Sequence, residues 1–318
     1  MSKLQLSTSK TEQHYVIKFL SRQRMATPEI QTPDDILPLD CKEIPKFVQQ
    51  IALKELGETE SKREKCLKEL RTKISNERNL RCDASDNFLL RFVRARKFDT
   101  EAAFTLLKSH YKHRLKNPSV YQQWTPKQNM EMMKADAIGF LEKRNTDGSA
   151  IYFAKVGLWN PAELSFEQIL RFGLICNEKA VDSEVTQICG ITSIADMKDF
   201  SWSHLMYLPL TKLTCFVSAV QDCLPVRHKA IHIVNNPSIF AFVFALIKPL
   251  INKKLRDRIH FHGDNMSSLH EHVSPYVLPR EYGGTLGTLQ TEPFYSSLLD
   301  SEEEFLRRSK YGYEMQTD

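Results

Sequence analysis

The stretch AIHIVNNPSIFAFVFALIKPLINKKLRDRIHFHG, residues 230–263, contains two short β-rich runs separated by a strongly apolar segment and a basic one. The runs 230–235 and 258–263 predict strands, and the residues between them are numerous enough for a helix. Strands joined through a helix favour parallel pairing. Together with β-rich runs at 150–156 and 190–197, they predict an α/β fold with a mostly parallel sheet and helical cover.

The apolar segment predicts a helix that begins at Asn236 and Pro237, a favourable N-cap and first-turn pair, and that is kinked or ends near Pro249. With about 12 residues it measures about 18 Å, which is too short to span a bilayer. Its apolar side chains fall into two stripes of helical spacing. One stripe is Phe240, Phe244, Ile247 and Ile251, and the other is Ile239, Val243, Leu246 and Leu250.

A basic segment follows this helix, and its cations outnumber the single carboxylate of Asp257: Lys248, Lys253, Lys254, Arg256 and Arg258. A helix that is apolar all round is commonly buried, but a fully buried helix would not end in such a cluster. A peripheral membrane contact accounts for both features, with one stripe facing a cavity, the other entering the bilayer, and the cations meeting lipid phosphates. About 1 kcal/mol per cation and about 1.5–3 kcal/mol per large buried side chain indicate reversible docking.

The composition divides the chain into four segments. Residues 1–45 are polar and contain several prolines, which predicts a flexible leader. Residues 46–120 have helical patterning and predict a small all-α domain. Residues 121–290 carry the α/β pattern, and residues 291–318 are assigned to a C-terminal tail.

Charge and cysteine usage narrow the class of protein. The net charge of +5 is too small to imply nucleic-acid binding by itself. The seven cysteines are odd in number, scattered and without a CxxC pair, which indicates a reducing compartment. The sequence shows neither the apolar core of a signal peptide nor an apolar run long enough for a transmembrane helix. These features predict a cytoplasmic protein.

The sequence contains no GxSxG elbow, HExxH pair or phosphate-binding loop, so we expect no enzyme. His260 and His262 share one face of a predicted strand and residues 270–272 read HEH, but neither cluster has a third ligand at a known spacing, so we predict no metal site. A second group of cations is either a solvated helix face or part of an anion-binding surface, and it lacks the interleaved aromatics of a nucleic-acid site. Its members are Arg91, Arg94, Arg96 and Lys97.

Several blocks of sequence, in order, resemble the CRAL-TRIO family: LLRFVRARKFDTEAAFTLLKSHYKHR (89–114), DFSWSH (199–204), the stretch 230–263 quoted above and LPREYGGTLG (278–287). The resemblance covers about residues 46–290 and is strongest to the branch that binds tocopherol and retinaldehyde. It implies an all-α domain followed by an α/β domain, whose sheet floors a lipid pocket closed by a mobile gate helix at SIFAFVFALIKPLI.

The resemblance also implies functional residues. A basic cleft beside the gate would bind the headgroup of a phosphatidylinositol bisphosphate, which opens the gate, and the matching cations are Arg96, Arg227, Lys229, Lys254 and Arg258. The implied cavity lining is Leu170, Gly173, Asn177, Phe200, Phe216, Ala219, Val220, Phe240, Phe244 and Ile247. The expected membrane contacts are Trp202 and Met206 near the mouth of the pocket and the stripe Ile239, Val243, Leu246 and Leu250.

At some positions the sequence departs from the tocopherol-binding pattern. Gly173 and Asn177 replace serines, and Ala154 replaces a tyrosine. Arginine and lysine are exchanged at Arg227 and Lys229, which retains the charge but changes the hydrogen-bonding geometry. An amide in an apolar pocket is costly unless it is paired, so Asn177 either orients the polar end of a ligand or is satisfied by neighbouring groups.

These observations predict a cytosolic carrier that binds one hydrophobic molecule, such as a retinoid, tocopherol or carotenoid, and releases it at membranes containing phosphatidylinositol phosphates. The alternative is an adaptor that reads phosphoinositides while holding a constitutively bound lipid. In either case we expect a monomer with no cofactor besides the bound lipid, no nucleic-acid partner and reversible peripheral membrane association.

Overall fold

The structure is a computed structural model, and it describes residues 36–208 and 210–314. The central sheet has five strands in the order β2 (Ile138–Phe140), β3 (Ala150–Lys155), β4 (Ile191–Asp196), β5 (His228–Val234) and β6 (Ile259–Gly263). β2 is antiparallel to β3, whereas β3, β4, β5 and β6 are parallel. This sheet with its helical cover confirms the predicted α/β class.

Each of the four strands predicted from the β-rich runs is present in the structure. The antiparallel edge strand β2 is an additional strand that was not predicted. A small antiparallel pair, β1 and β7, lies outside the main sheet. The strands are β1 Leu80–Arg81, β2 Ile138–Phe140, β3 Ala150–Lys155, β4 Ile191–Asp196, β5 His228–Val234, β6 Ile259–Gly263 and β7 Gly312–Tyr313.

Helices precede, connect and follow these strands. Those before the sheet are α1 Lys46–Ile51, continued by a π-helical segment Ala52–Leu56, then α2 Glu60–Asn76, α3 Asp86–Ala95, α4 Thr100–Lys116, α5 Pro118–Tyr121 and α6 Met130–Lys134. Those after β3 are α7 Phe166–Ala180, α8 Glu184–Cys189, α9 Trp202–Met206, α10 Leu210–Ser218, continued by a π-helical segment Ala219–Cys223, α11 Phe240–Ile247, α12 Lys253–Arg256, α13 Met266–His270, α14 Glu292–Leu299 and α15 Glu302–Arg308.

Both ends of the described chain pack against the rest of the protein. Residues 36–45, predicted to belong to the flexible leader, are anchored, because Ile36 is buried and Arg144 donates hydrogen bonds to the carbonyls of Pro38 and Leu39 at 3.1 and 2.5 Å. The prediction for residues 1–35 lies outside the described residues. In the segment assigned to a tail, α14 and α15 bury Phe294, Leu298 and Phe305 in the same core as the sheet.

The apolar helix begins later than predicted. α11 starts at Phe240, after a turn in which the Phe240 amide donates to the Pro237 carbonyl at 2.9 Å. Asn236 does not cap the helix, because its side chain accepts a hydrogen bond from the amide of Gly263 at the end of β6. The helix ends at Ile247, which agrees with the predicted kink or end near Pro249. We refer to α11, residues Phe240–Ile247, as the gate helix.

Candidate functional site

An apolar cavity of about 290 Å³ lies between the sheet and its helical cover. Its floor is formed by alternate residues of the parallel strands, such as Ala154, Ala195 and Ile233, since side chains along a strand point to opposite faces. Helices α7 and α10 and the gate helix supply its walls. The volume is at the lower end of the range typical of small-molecule sites, and the lining is predominantly hydrophobic.

The structure places nine of the ten predicted lining residues around this cavity: Leu170, Gly173, Asn177, Phe200, Phe216, Val220, Phe240, Phe244 and Ile247. Ala219 does not line it. This residue is fully buried in the hydrophobic core, where the helix widens into its π-helical turn, so it is removed from the candidate set. Contact of the other nine with a ligand stays a prediction.

The gate helix divides its side chains differently from the two predicted stripes. Val243, predicted to touch a membrane, is 5% exposed and lines the cavity, and Ile239 is buried in the adjoining core. Val243 is enclosed together with Phe240 because positions i, i+3, i+4 and i+7 of a helix share one face. Starting from Phe240, that face carries Val243, Phe244 and Ile247.

Side chains on the opposite face of the gate helix contribute to an apolar rim, defined as Trp202, Met206, Leu210, Phe242 and Leu246. Met206 is 84% exposed, Trp202 61% and Phe242 60%. The rings of Trp202 and Phe242 contact each other with centroids 5.6 Å apart, which joins α9 to the gate helix. The sequence did not indicate Phe242, because the side of an apolar helix that stays exposed depends on what packs against its other side. Leu250, the last of the predicted contacts, is half-buried.

Membrane crossing is a separate question from membrane contact. Within the described residues, no helix combines the length and the apolar character needed to span a bilayer.

The five predicted cations of the basic cleft differ in how they are paired. Arg96, Lys254 and Arg258 form no ion pair with any carboxylate of the described residues. Partial burial, followed by the charges of Arg258 and Arg96 among other cations, lowers the pKa of Lys254. Partial burial and the charge of Arg227 likewise lower the pKa of Arg258. These side chains therefore create a positive potential that favours a bound anion.

The other two cations of the cleft share a carboxylate that the sequence did not reveal. Glu55 forms ion pairs with Arg227 at 2.6 Å and with Lys229 at 3.3 Å. Burial opposes ionisation of Glu55, but the hydrogen bond from Arg227 and the charge of Lys229 outweigh it and hold its pKa below the ordinary value. Because Glu55 lies more than 170 positions before both partners, no local pattern could have indicated this contact.

Arg91 and Arg94, grouped in the sequence with Arg96, have a structural role. Both are 1% exposed. Arg91 pairs with Glu178 at 3.0 Å and also with Asp182, and Arg94 pairs with Glu58 and Glu184, each at 2.7 Å. The interpretation of these two arginines as a solvated or anion-binding face is therefore wrong, because their charges are used to join α3 to α7 and α8.

Four histidines cluster on the face of the sheet opposite the cavity: His232, His260, His262 and His272. The His232 Nδ1 and His262 Nε2 atoms are 2.9 Å apart and hydrogen-bonded to each other. Within residues 36–208 and 210–314, no group of three or more His, Cys, Asp and Glu side chains is arranged to hold a metal ion. The predicted lack of a metal site stays a prediction.

Acidification is expected to destabilise the fold through buried histidines. Burial lowers the pKa of His110 to about 4 and, with the charges of neighbouring histidines, that of His232 to about 3. Unfolded histidines titrate near 6.5, so below about pH 6.5 only the unfolded chain gains these protons, and stability present above that pH is lost as the pH falls. Each such histidine contributes about 1.4 kcal/mol per pH unit.

Chemical denaturation at pH 7.5 and 5.0 measures this effect. The free energy of unfolding should be lower at pH 5.0, and His232→Asn should reduce the difference between the two values. The same free energy of unfolding at both pH values would contradict the conclusion that buried histidines with lowered pKa values destabilise the fold in acid.

An apolar cavity covered by a short helix is typical of the class of proteins that bind hydrophobic small molecules. Comparison with protein families agrees with this class. The CRAL/TRIO domain matches residues 134–284, and the CRAL/TRIO N-terminal domain matches residues 50–109. The chain belongs to the CRAL-TRIO family of lipid-binding and transfer proteins.

Two relatives within the family are about one-third identical to this chain over the aligned residues. The "Alpha-tocopherol transfer protein-like" protein of Homo sapiens is 34% identical over 229 residues, which cover 72% of this chain and 67% of the relative. "Clavesin-1" of Rattus norvegicus is 34% identical over 203 residues, which cover 63% of this chain and 57% of the relative. Among solved structures, "Crystal structure of Sfh5" matches at 16% identity with a TM-score of 0.49, covering 84% of this chain and all of that one.

Proposed function

We propose that the protein carries one hydrophobic small molecule, such as a retinoid, tocopherol or carotenoid, and releases it at membranes containing phosphatidylinositol phosphates. One observation carries the proposal. The gate helix lines the cavity with one face and exposes Phe242 and Leu246 on the other. A displacement of this helix toward a bilayer would open the cavity where its contents can leave.

Two further features support the proposal. The basic segment around Lys254 follows the gate helix directly, so lipid phosphates and the apolar rim would be engaged together. All seven cysteines are free, which fits the reducing cytoplasm as the proposed location. One relative is an "Alpha-tocopherol transfer protein-like" protein, and tocopherol is therefore one member of the ligand panel.

A transfer experiment tests this function. The purified protein is extracted with solvent to identify its co-purified lipid, and retinol and α-tocopherol are then exchanged into it. Transfer to acceptor vesicles is measured with and without 5% phosphatidylinositol 4,5-bisphosphate. We expect an exchangeable ligand and faster transfer to the phosphoinositide vesicles. A lipid that never exchanges, in protein that still binds these vesicles, would contradict the carrier and favour the adaptor.

Removing one unpaired cation is expected to weaken vesicle binding. Lys254→Gln eliminates a charge worth about 1 kcal/mol near an anionic leaflet, so the partition coefficient onto phosphoinositide vesicles should fall about 5-fold at low salt. Ligand content should not change, because Lys254 does not line the cavity. Lys134→Gln is the matched control, since Lys134 ends α6 before the opposite edge strand β2. Equal losses in both variants would contradict a localised cleft.

Removing the carboxylate of the cleft is expected to strengthen vesicle binding, the opposite of the effect of Lys254→Gln. Glu55→Gln releases Arg227 and Lys229 from their ion pairs and raises the net charge of the cleft by one. Binding to the same vesicles should strengthen, by about 5-fold at low salt. Co-sedimentation at several salt concentrations measures the change, and a decrease in binding would show that Glu55 holds the two cations in the geometry that the headgroup needs.

A further inference from the structure

A small polar region interrupts the apolar floor of the cavity. Tyr152 on β3 and Ser193 on β4 are direct neighbours in the parallel register, and both line the cavity. In the same row across the sheet come Ile231 on β5 and Ile259 on β6. The two hydroxyl side chains therefore lie on the part of this row nearer β2, whereas the part on β5 and β6, nearer the gate helix, is apolar.

Helix α7 brings an amide to the same place. A Cβ atom at Gly173 would lie only 3.0 Å from the Tyr152 hydroxyl oxygen, so the glycine leaves this hydroxyl uncovered. Asn177 follows one turn later on the same face, and its Nδ2 donates to the Gly173 carbonyl at 2.8 Å. That bond fixes the amide and leaves its Oδ1 available as an acceptor.

These groups differ from the other polar residues of the lining. Lys155 is paired with Glu281 at 3.0 Å. His228 is hydrogen-bonded through Nε2 to the Val220 carbonyl, and its Nδ1 has no partner among the described residues but is fully enclosed. The hydroxyls of Tyr152 and Ser193 also have no hydrogen-bond partner among the described residues, but they are not among the fully enclosed atoms, and both side chains border the cavity. Burial raises the pKa of Tyr152, so its hydroxyl keeps its proton as a donor.

We propose that Tyr152, Ser193 and Asn177 form a hydrogen-bonding subsite that selects lipid alcohols, phenols included, and turns their hydroxyl group away from the gate helix. A ligand hydroxyl both accepts, from Tyr152 or Ser193, and donates, to Asn177 Oδ1. An ester or ether oxygen can only accept a hydrogen bond, so it leaves the Asn177 amide oxygen unpaired. A hydrocarbon leaves all three groups unpaired. Unpaired polar groups are unfavourable in an apolar site. This inference rests on the proposed function, because it requires a lipid in the cavity.

Matched pairs of ligands test the selection. The pairs are retinol with retinyl acetate, α-tocopherol with its acetate, and cholesterol with its acetate, and the members of each pair differ by the acetyl group on the oxygen. Affinities are measured by fluorescence or by competition with a fluorescent apolar probe, N-phenyl-1-naphthylamine. In the wild type, the alcohol of at least one pair should bind more tightly than its acetate, and Tyr152→Phe or Ser193→Ala should reduce that preference by about 5- to 10-fold.

The variants separate hydrogen bonding from ligand size, since Tyr152→Phe leaves the shape of the cavity almost unchanged. Tyr121→Phe is the matched control, because the Tyr121 hydroxyl is bonded to His113 and Tyr121 does not line the cavity. An alcohol preference that is absent, or unchanged by Tyr152→Phe and Ser193→Ala, overturns the subsite alone. Failure of every alcohol and acetate, and of the probe, to bind overturns the proposed function and the subsite with it.

Discussion

Replacement of Arg91 by methionine is expected to lower the free energy of unfolding by about 3–5 kcal/mol, which is typical of breaking a buried ion pair from one side. The guanidinium group lies 3.0 Å from Glu178, whose side chain is 4% exposed. Burial raises the pKa of Glu178, but the charges of Arg91 and Arg308 outweigh it and hold the pKa at about 2. Without Arg91, the ionised carboxylate of Glu178 stays buried, and among the described residues Arg308, 3.6 Å away, is the one ion-pair partner that it keeps.

The matched control is Lys65→Met, since Lys65 and Glu69 form a pair at 3.9 Å with the lysine side chain 74% exposed. Loss of this exposed ion pair should lower the free energy of unfolding by less than about 1 kcal/mol. Urea denaturation of both variants, followed by circular dichroism, measures the difference. If Arg91→Met is as stable as Lys65→Met, the buried network does not hold α3 against α7.

Phe240→Asp is expected to abolish retention of the hydrophobic ligand. Phe240 is 4% exposed and lies between the rings of Phe200 and Phe261, each with its centroid 6.3 Å away. A carboxylate at this position would have to be buried against the ligand or would keep the gate helix open, and both outcomes raise the dissociation constant. We expect an increase of at least about 100-fold for N-phenyl-1-naphthylamine and loss of co-purified lipid in native mass spectrometry.

The same helix supplies the control. Phe242→Asp introduces the same charge two residues away on the exposed face, so it should retain the ligand while weakening binding to phosphoinositide vesicles. Phe240→Leu, which keeps the site apolar, should lose much less affinity than Phe240→Asp and shows whether the fold tolerates change at this position. Equal ligand retention by Phe240→Asp and Phe242→Asp would mean that the inner face of the gate helix does not enclose the ligand.

The sequence predicted much of the fold because hydrophobic periodicity is a local property. The β-rich runs marked the strands, and Pro249 marked the end of the gate helix. The predicted start of that helix was too early. The Asn236 side chain does not cap it but accepts a hydrogen bond from the amide of Gly263 at the end of β6, a contact between distant segments. Ile239 and Val243 were predicted on a membrane surface but lie in the interior, because packing against the rest of the chain decides which face of an apolar helix is enclosed.

The candidate site was less predictable, because opposite charges and polar groups find partners across long separations. Arg91 and Arg96 look alike in the sequence, yet one is buried in an ion pair and the other borders the cleft without one among the described carboxylates. Neither Glu55 in the basic cleft nor Tyr152 in the cavity carries a local signal.

By itself, the sequence determined the α/β class, the order of the strands along the chain and the presence of an apolar helix next to a cluster of cations, since each depends on residues close together in the chain. Only the tertiary structure decided which face of the gate helix is enclosed, which cations are paired and which polar groups enter the cavity. These properties depend on burial and on distances between residues as far apart as Glu55 and Arg227, which exist only when the chain is folded.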